Sequence, residues 1–338
     1  MPIVRAEDLT YTKLRAIDMS RAVCFQPVSA LEVHGPHLPY GMDFYMARWM
    51  AEESGRRFAA TRPDWTVVQH PVLPLGTDEL PLAGSMNASQ RTVYNAVRAH
   101  GASLARAGYR YIVVTNGHGG PRHAAALEAA CRRVSRRHGV QMFTPSIVAL
   151  HALITGRRFD AIEASLGRPL SEEERHHLVR GEHAGTWETA FMLAQDPSLV
   201  EADYTTLEHD EPPPLRPLAR VSDAIANWQL RRGRDPQPLR EVLGGLAGGL
   251  GWLLNTKYGY GGPAVSYHGT PRVASVELGH AFRDVLAGDC LAVLERVTSG
   301  AQKAADVRSI ASDPAIIQPH FWPRAAAAAA LLALILWW

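Results

Sequence analysis

Residues 111–120 read YIVVTNGHGG, and this stretch decides the fold. Its first five residues form an apolar, β-branched run that is typical of a buried parallel strand. A glycine-rich turn follows, and residues 122–138 then predict an amphipathic helix that stops at Gly139. Strand, turn and helix in this order indicate a parallel sheet covered by helices. Because ligands of such sheets bind at the carboxyl ends of the strands, the turn is predicted to border a site.

The flanking sequence continues this alternation on both sides. Strands are predicted at residues 21–28, 65–73 and 140–144, and helices at about residues 43–57 and 90–108. The predicted fold class is therefore α/β with a mainly parallel central sheet. A stretch rich in glycine at residues 243–262 is predicted to be a mobile segment.

Composition excludes several classes of protein. The chain has 338 residues, of which 46% are hydrophobic and 20% are charged, as in a soluble globular protein. Its net charge is +2 and no stripe of Lys and Arg alternates with aromatic residues, so no nucleic-acid partner is expected. Three widely separated cysteines predict neither a disulfide framework nor a cysteine-based zinc site, which favours a cytoplasmic location.

A loop at residues 32–43 (EVHGPHLPYGMD) combines carboxylates with an imidazole between a predicted strand and a predicted helix. Residues two apart in an extended chain point the same way, so Glu32 and His34 can face one centre. The glycines and prolines that follow constrain a turn that can bring Asp43 back to it. Oxygen and imidazole donors suit Zn²⁺, Mn²⁺ or Fe²⁺ without choosing among them.

Two further clusters are predicted on the same rim of the sheet. His118 lies in the turn after the strand at residues 111–115. In residues 183–189 (HAGTWET), a helix that starts near Gly185 would place Glu188 in its first turn and His183 just before it. A single loop histidine is usually exposed or capping, and a single carboxylate is usually solvated. Three chemically compatible clusters on one rim favour a metal site instead.

Competing catalytic motifs are missing from the sequence. It contains no HExxH helix, no GxSxG elbow and no GxxxxGK[ST] loop. A serine hydrolase stays possible only if its residues converge in space.

The two ends of the chain differ sharply. Residues 1–10 are charged and predict no secretory signal. Residues 325–338 are apolar and would span about 21 Å as a helix, less than the roughly 30 Å of a bilayer core. We expect this tail to fray or to dock on the body or on a neighbouring subunit, with a membrane anchor as the alternative.

The sequence resembles the creatininase (creatinine amidohydrolase) family at these same residues. Glu32, His34 and Asp43 stand in a segment like that family's E-x-H-G-P-H-L-P-x-x-x-D signature, and NGHGG matches its second motif. Residues 183–189 match its H-A-G-x-x-E-T motif, and residues 269–279 resemble its closing G-x-P-x-x-A-x-x-E-x-G segment. The match runs in order from about residue 24 to residue 297.

The resemblance implies a three-layer αβα sandwich with a mainly parallel central sheet, commonly assembled into homohexamers. Residues 1–300 are predicted to form the hydrolase domain, with insertions at about residues 155–180 and 201–251. Residues 301–338 are predicted to be an extension that ends in the apolar tail 325–338.

The resemblance also implies two divalent metal ions, for which zinc is expected and manganese or iron are alternatives. Glu32 and His118 would hold one ion and His34 the other, with Asp43 bridging them. Creatininase has a glutamate ligand at the position of Gly120, so Glu188 is predicted to complete the second site here. Further roles are predicted for His183 and Glu188 in catalysis, for His37 and Asn116 in orienting ligands, and for Trp187, Gly119 and Gly120 in substrate binding.

The implied activity is that of a dinuclear metal-dependent amidohydrolase. It would cleave the C–N bond of an amide, a lactam or a small cyclic amide with a metal-bridging hydroxide. Departures from the family pattern at Val33, Pro121 and residues 76–85 surround the pocket and leave the small-molecule substrate open. Two alternatives stay open: cleavage of a peptide near its C-terminus, a formamide or a C–C bond of a diketone sugar, and a non-catalytic metal-binding scaffold.

Overall fold

The computed structural model describes residues 3–178, 183–210, 216–233, 266–313, 315–321, 323 and 325–326. The predicted mobile segment at residues 243–262 and all but two residues of the tail 325–338 lie outside these ranges. Within them, none of the helices is both long enough and apolar enough to cross a bilayer.

The described residues build one central sheet, and the sequence prediction of parallel strands is confirmed. The strands are β1 (Ile3–Arg5), β2 (Ala22–Ser29), β3 (Thr66–Gln69), β4 (Leu73–Pro74), β5 (Tyr111–Thr115) and β6 (Gln141–Phe143). Their order is β1-β3-β2-β5-β6, with β4 beside the end of β2, and each of the described pairs is parallel. The ends of β2 and β5, at the middle of the sheet, therefore lie side by side.

The single strand predicted at residues 65–73 is two strands in the structure, β3 and β4. Pro71 lies between them and has no N–H to donate to a ladder, so the strand is interrupted there. The side chain of Gln26 donates instead to the carbonyl of Pro71, at 3.1 Å. β2 thus pairs first with β3 and then with β4 along the same edge.

Helices connect and cover the strands, and their ends follow ordinary capping rules. They are α1 (Tyr11–Arg15), α2 (Met42–Thr61), α3 (Gln90–Ala107), α4 (Pro121–His138), α5 (Pro145–Ile154), α6 (Phe159–Leu166), α7 (Glu172–Leu178), α8 (Thr186–Gln195), α9 (Arg216–Leu230) and α10 (Val276–Thr298). Ser89 caps α3 through its side chain, and Gly108 ends that helix with a φ of 107°. α4 has proline at its first position and Gly139 after its last.

The sheet separates two apolar layers, as the alternation of side chains along each strand requires. Ile112 and Val114 of β5 face the core formed with α3 and α4, whereas Val113 between them faces the core formed with α2 and α10. β2 behaves in the same way, with Cys24 on the first side and Phe25 on the second. The structure is therefore a three-layer αβα sandwich, as expected.

The segment predicted as a helical insertion at residues 155–180 contains α6 and α7, which pack against α8 and α10. In the described part of residues 301–338, Ala304 and Val307 join the core of α2 and α10, whereas Ala311 joins that of α3 and α4 in the opposite layer. There the buried carboxylate of Glu128 on α4 accepts hydrogen bonds from the backbone N–H of Ser309, at 2.8 Å, and from the hydroxyl of Ser312. This part of the extension therefore packs on α4.

The contact between α8 and α10 yields a stability prediction. A Cβ at Gly279 would lie 1.9 Å from the carbonyl oxygen of Ala190, whereas a Cβ at Gly288 on the same helix would meet, among the described residues, only the tip of Arg57 at 3.9 Å. We expect Gly279→Ala to destabilise the fold by about 1–3 kcal/mol through overpacking. Gly288→Ala should be neutral or stabilise it by up to about 1 kcal/mol. Urea unfolding measures both, and equal effects would show that the close contact does not exist.

Candidate metal centre

The candidate site forms where the carboxyl ends of β2 and β5 meet. Ser29, the last residue of β2, donates from its hydroxyl to Oδ1 of Asn116 after β5, at 3.2 Å. The same hydroxyl accepts from the backbone N–H of Gly117, also at 3.2 Å. A buried side chain at the end of one strand thus fixes the turn that follows its neighbour.

Asn116 also shapes its own turn. Its Nδ2 donates to the carbonyl of His118 at 2.6 Å, and its Oδ1 accepts from the N–H of His118 at 3.0 Å. Gly117 between them must be glycine, because a Cβ there would lie 2.5 Å from the carbonyl oxygen of Asp43. The backbone of the turn therefore packs closely on the first turn of α2, which places His118 beside Asp43.

Two helix N-termini bring carboxylates to the same place. Asp43 lies in the first turn of α2 and Glu188 in the first turn of α8, where the helix dipole favours negative charge. Oε2 of Glu188 accepts from the N–H of Ala184 at 2.6 Å. Ala184 has a φ of 51°, an uncommon conformation for a residue with a Cβ.

These elements bring the predicted ligands into two groups that share Asp43. In the first group, Nδ1 of His118 lies 3.0 Å from Oδ2 of Asp43 and 3.1 Å from Oε2 of Glu32. In the second, Nε2 of His34 lies 3.4 Å from Oδ1 of Asp43 and 3.5 Å from Oε2 of Glu188. The candidate ligand atoms of each group all lie within 4.8 Å of one another. One oxygen of Asp43 therefore faces each histidine.

Backbone carbonyls select the tautomer of both histidines. Nδ1 of His34 lies 2.9 Å from the carbonyl oxygen of Glu32, and Nε2 of His118 lies 3.0 Å from that of Thr77. Since a carbonyl only accepts, these ring nitrogens carry the proton in each hydrogen bond. In the neutral rings, Nε2 of His34 and Nδ1 of His118 would then offer lone pairs toward the carboxylates, as in metal-binding histidines.

The arrangement passes a test of fit to a divalent ion. Among the described residues, Oε2 of Glu32, Nε2 of His34 and Oδ1 of Asp43 are buried polar atoms with no hydrogen-bond partner. Buried carboxylates and imidazoles normally satisfy such atoms through ion pairs or metal coordination. The donors are nitrogen and oxygen alone, a set that suits zinc or manganese.

Without metal, protons balance the buried carboxylates. Burial alone would lower the pKa of His34, but Asp43 and Glu188 raise it to about 10. The pKa of His118 is likewise raised well above its usual value, because Glu32 and Asp43 outweigh the effect of burial. Burial raises the pKa of Glu188 to about 7 despite the neighbouring His34. The metal-free cluster therefore holds protons at neutral pH.

His183, predicted to act in catalysis, also lies in this cluster. Its ring packs on the ring of His34 with centroids 4.2 Å apart. Its Nε2 donates to the carbonyl of Val33 at 2.6 Å, and it forms a third candidate ligand group with Glu32 and His34. Burial and the charge of His34 lower the pKa of His183 to about 4.

Two residues predicted to serve the site have other neighbours in the structure. Nε2 of His37 lies 2.8 Å from the hydroxyl of Thr189, the residue after Glu188, and so it contacts α8 rather than a candidate ligand. Trp187 is 4% exposed and belongs to the core between α7, α8 and α10. Its ring packs against that of Phe282, with centroids 3.8 Å apart. These are the contacts of a core side chain, and Trp187 is not brought into the ligand cluster.

The two glycines predicted to contact substrate differ from each other. Gly119 is exposed, and no atom of the described residues lies within 4 Å of where its Cβ would be, so this part of the structure leaves open space beside His118. A Cβ at Gly120 would lie 2.5 Å from Nε2 of His118 and 2.8 Å from Cβ of Asp78. This crowding explains why position 120 carries no side chain here.

Sequence reasoning put residues 76–85 around the pocket but did not identify their contacts with the candidate ligands. The carbonyl of Thr77 binds His118, and the N–H of Leu80 donates to Oε1 of Glu32. Glu79 between them is 2% exposed, and in the described structure neither of its carboxylate oxygens has a hydrogen-bond partner. Their position in the sequence could have indicated these contacts. They follow β4, whose carboxyl end lies at the same edge of the sheet as the candidate site.

The fold and this cluster define an α/β protein with a candidate metal centre at the strand ends, and comparisons with known proteins assign its family. The family model described as creatinine amidohydrolase matches residues 7–294. The chain therefore belongs to the creatininase family, which confirms the resemblance found in the sequence. The comparison with curated proteins found no match.

Solved structures support the fold. A provisionally named creatinine amidohydrolase from Bacteroides fragilis NCTC 9343 is 18% identical, with a TM-score of 0.55, over 87% of this chain and 96% of that one. A manganese form of creatininase is 18% identical with a TM-score of 0.52, covering 88% and 99%. A zinc–zinc form of a creatininase mutant is 17% identical with a TM-score of 0.53, covering 89% and 99%.

The protonated state of the cluster predicts that metal binding depends on pH. Because the pKa of His34 is about 10 without metal, an ion must displace its proton at neutral pH. The apparent affinity for Zn²⁺ should therefore rise between pH 6 and pH 8, by about tenfold per pH unit for each proton displaced. Calorimetry in two buffers of different ionisation enthalpy counts the released protons. An affinity that is constant over this range would contradict the proposed protonation.

Glu79 provides a second pH-dependent prediction. Burial, aided by Glu32 and Asp43, raises its pKa to about 7 although His118 acts in the opposite direction. Its ionisation therefore destabilises the folded state as pH rises from about 4.5 to 7. In metal-free protein, we expect Glu79→Gln to stabilise the fold at pH 8 by on the order of 1 kcal/mol and to have less effect at pH 5. Urea unfolding at both pH values tests this, and a larger gain at pH 5 would refute it.

Proposed function

We propose that the chain is a dinuclear metal-dependent hydrolase that cleaves a C–N bond in an amide, a lactam or a small cyclic amide. One observation carries the proposal: the two oxygens of Asp43 face different histidines, each within its own group of three candidate ligands. Membership of a family of amidohydrolases supplies the class of reaction.

In this proposal Glu32 and His118 hold one ion, His34 and Glu188 hold the other, and Asp43 is shared. The three carboxylates carry three negative charges, which two divalent ions would more than offset in a buried place. When bound, such ions lower the pKa of water and polarise a carbonyl group. Zinc is the expected metal, and the manganese and zinc forms of creatininase are consistent with this donor set.

Hydrolysis of a C–N bond also requires a proton for the leaving nitrogen. We assign this role to His183, whose ring packs on that of His34 inside the cluster. Its Nε2–H is held by the carbonyl of Val33, so Nδ1 would take up and deliver the proton. The open space at Gly119, beside His118, gives a small substrate a way to approach. Homohexameric assembly and a cytoplasmic location stay predictions.

Removal of the shared carboxylate tests the dinuclear assignment. We expect the purified protein to contain about two equivalents of divalent metal per chain and Asp43→Ala to lose both, together with activity, since each ion loses a ligand. Asp43→Asn keeps the shape of the side chain and should also lose metal. Glu52→Ala, an exposed carboxylate on the same helix, is the control and should keep the full metal content.

Elemental analysis of these variants measures the outcome directly. Wild-type protein with less than one equivalent after reconstitution, or an Asp43→Ala protein with its full metal complement, would rule the assignment out. The metal-loaded protein can then be assayed against amides, lactams and cyclic amides beside peptides, formamides and diketone sugars. Turnover in the second group alone would keep the metal centre and replace the proposed bond.

A further inference from the structure

Positive charge is concentrated on two neighbouring helices of one outer layer, α3 and α4. α3 and α4 together contain eight arginines and a single carboxylate, although the whole chain has a net charge of only +2. That carboxylate, Glu128, is buried and accepts hydrogen bonds from Ser309 and Ser312. The exposed arginines of this layer therefore have no acidic neighbour on their own helices.

A groove of about 350 Å³ lies between these helices. It is lined by Arg98, Arg106, Arg133 and Arg137 around the small apolar residues Ala102 and Val134. Within the described part of the chain, none of these four arginines forms an ion pair with a carboxylate. Four guanidinium groups thus share one concave surface with no carboxylate paired to them among the described residues.

Helix dipoles account for only part of this arrangement. Arg106 lies in the last turn of α3, and Arg137 and His138 lie in the last turn of α4, where cations are favourable. Arg98 and Arg133 lie further inside the helices, where the effect of the dipole fades. Like charges gathered in one groove repel each other, so an additional stabilising partner is expected to be an anion.

We propose that this groove binds a small, multiply phosphorylated ligand. Guanidinium groups bind phosphate oxygens through paired hydrogen bonds, and several of them around one cavity favour more than one phosphate. The volume falls in the range of small-molecule sites rather than of macromolecular interfaces. Arg133 is 12 residues from the start of α4 beside the metal centre, about 18 Å along the helix, so the two sites are separate.

Calorimetry of the full chain with inorganic tripolyphosphate, at constant ionic strength, tests the proposal. We expect binding in the micromolar range, weakened by about tenfold or more in the double variant Arg98→Gln, Arg133→Gln. Ala102→Leu fills the groove without changing charge and should weaken binding to a similar degree. Arg136→Gln removes an exposed charge from the same helix outside the groove, and it should change the Kd by less than about twofold.

Two further measurements show whether tripolyphosphate binds at the groove or at the metal centre, and whether the natural ligand is a soluble phosphate or a lipid headgroup. Asp43→Asn should bind tripolyphosphate as the wild type does, since its change is confined to the metal centre. Vesicles containing phosphatidic acid should bind no better than neutral vesicles. The proposal is overturned if tripolyphosphate does not bind, if Arg136→Gln weakens binding as much as the double variant, if Asp43→Asn abolishes binding, or if only the acidic vesicles bind.

Discussion

The carboxylate of Asp43 is the group on which the rest of the site depends. Its oxygens lie 3.0 Å from a nitrogen of His118 and 3.4 Å from a nitrogen of His34, and its side chain is buried. Two strands and two helices converge there: β2 leads to Glu32 and His34, β5 leads to His118, and the first turns of α2 and α8 contain Asp43 and Glu188. Such a concentration of buried negative charge is tolerated only when cations or protons neutralise it.

Main-chain carbonyl groups determine which ring nitrogen of each histidine carries the proton. The carbonyl of Glu32 fixes the proton of His34 on Nδ1, whereas the carbonyl of Thr77 fixes that of His118 on Nε2. The two rings therefore present opposite nitrogens to the same carboxylate. Because these carbonyls belong to loops at the end of β2 and after β4, the register of the parallel strands sets the chemistry of the site.

Prediction from the sequence succeeded where a residue's role follows from its position on a strand or helix. The apolar run at Tyr111–Thr115 identified a buried parallel strand, and residues that follow such strands converge at one edge of the sheet. The sequence could not show whether Trp187 lines a pocket or lies in the core, since both environments are apolar. Glu79 was missed because a single loop carboxylate is normally solvated, and only the fold shows that it is buried.

Residues with strained backbone lie on both sides of the cluster. Their position indicates that the fold gives up some stability to form the site. Among the described residues other than glycine, only Asp78 and Ala184 have positive φ, at 78° and 51°. Ala184 donates to Glu188, and Asp78 accepts from the N–H of Arg122 at the start of α4, just after the turn that carries His118. A strained residue of this kind costs about 1–3 kcal/mol and persists only where its surroundings hold it. The packing of the αβα layers must therefore supply the stability that the strain and the buried carboxylates remove.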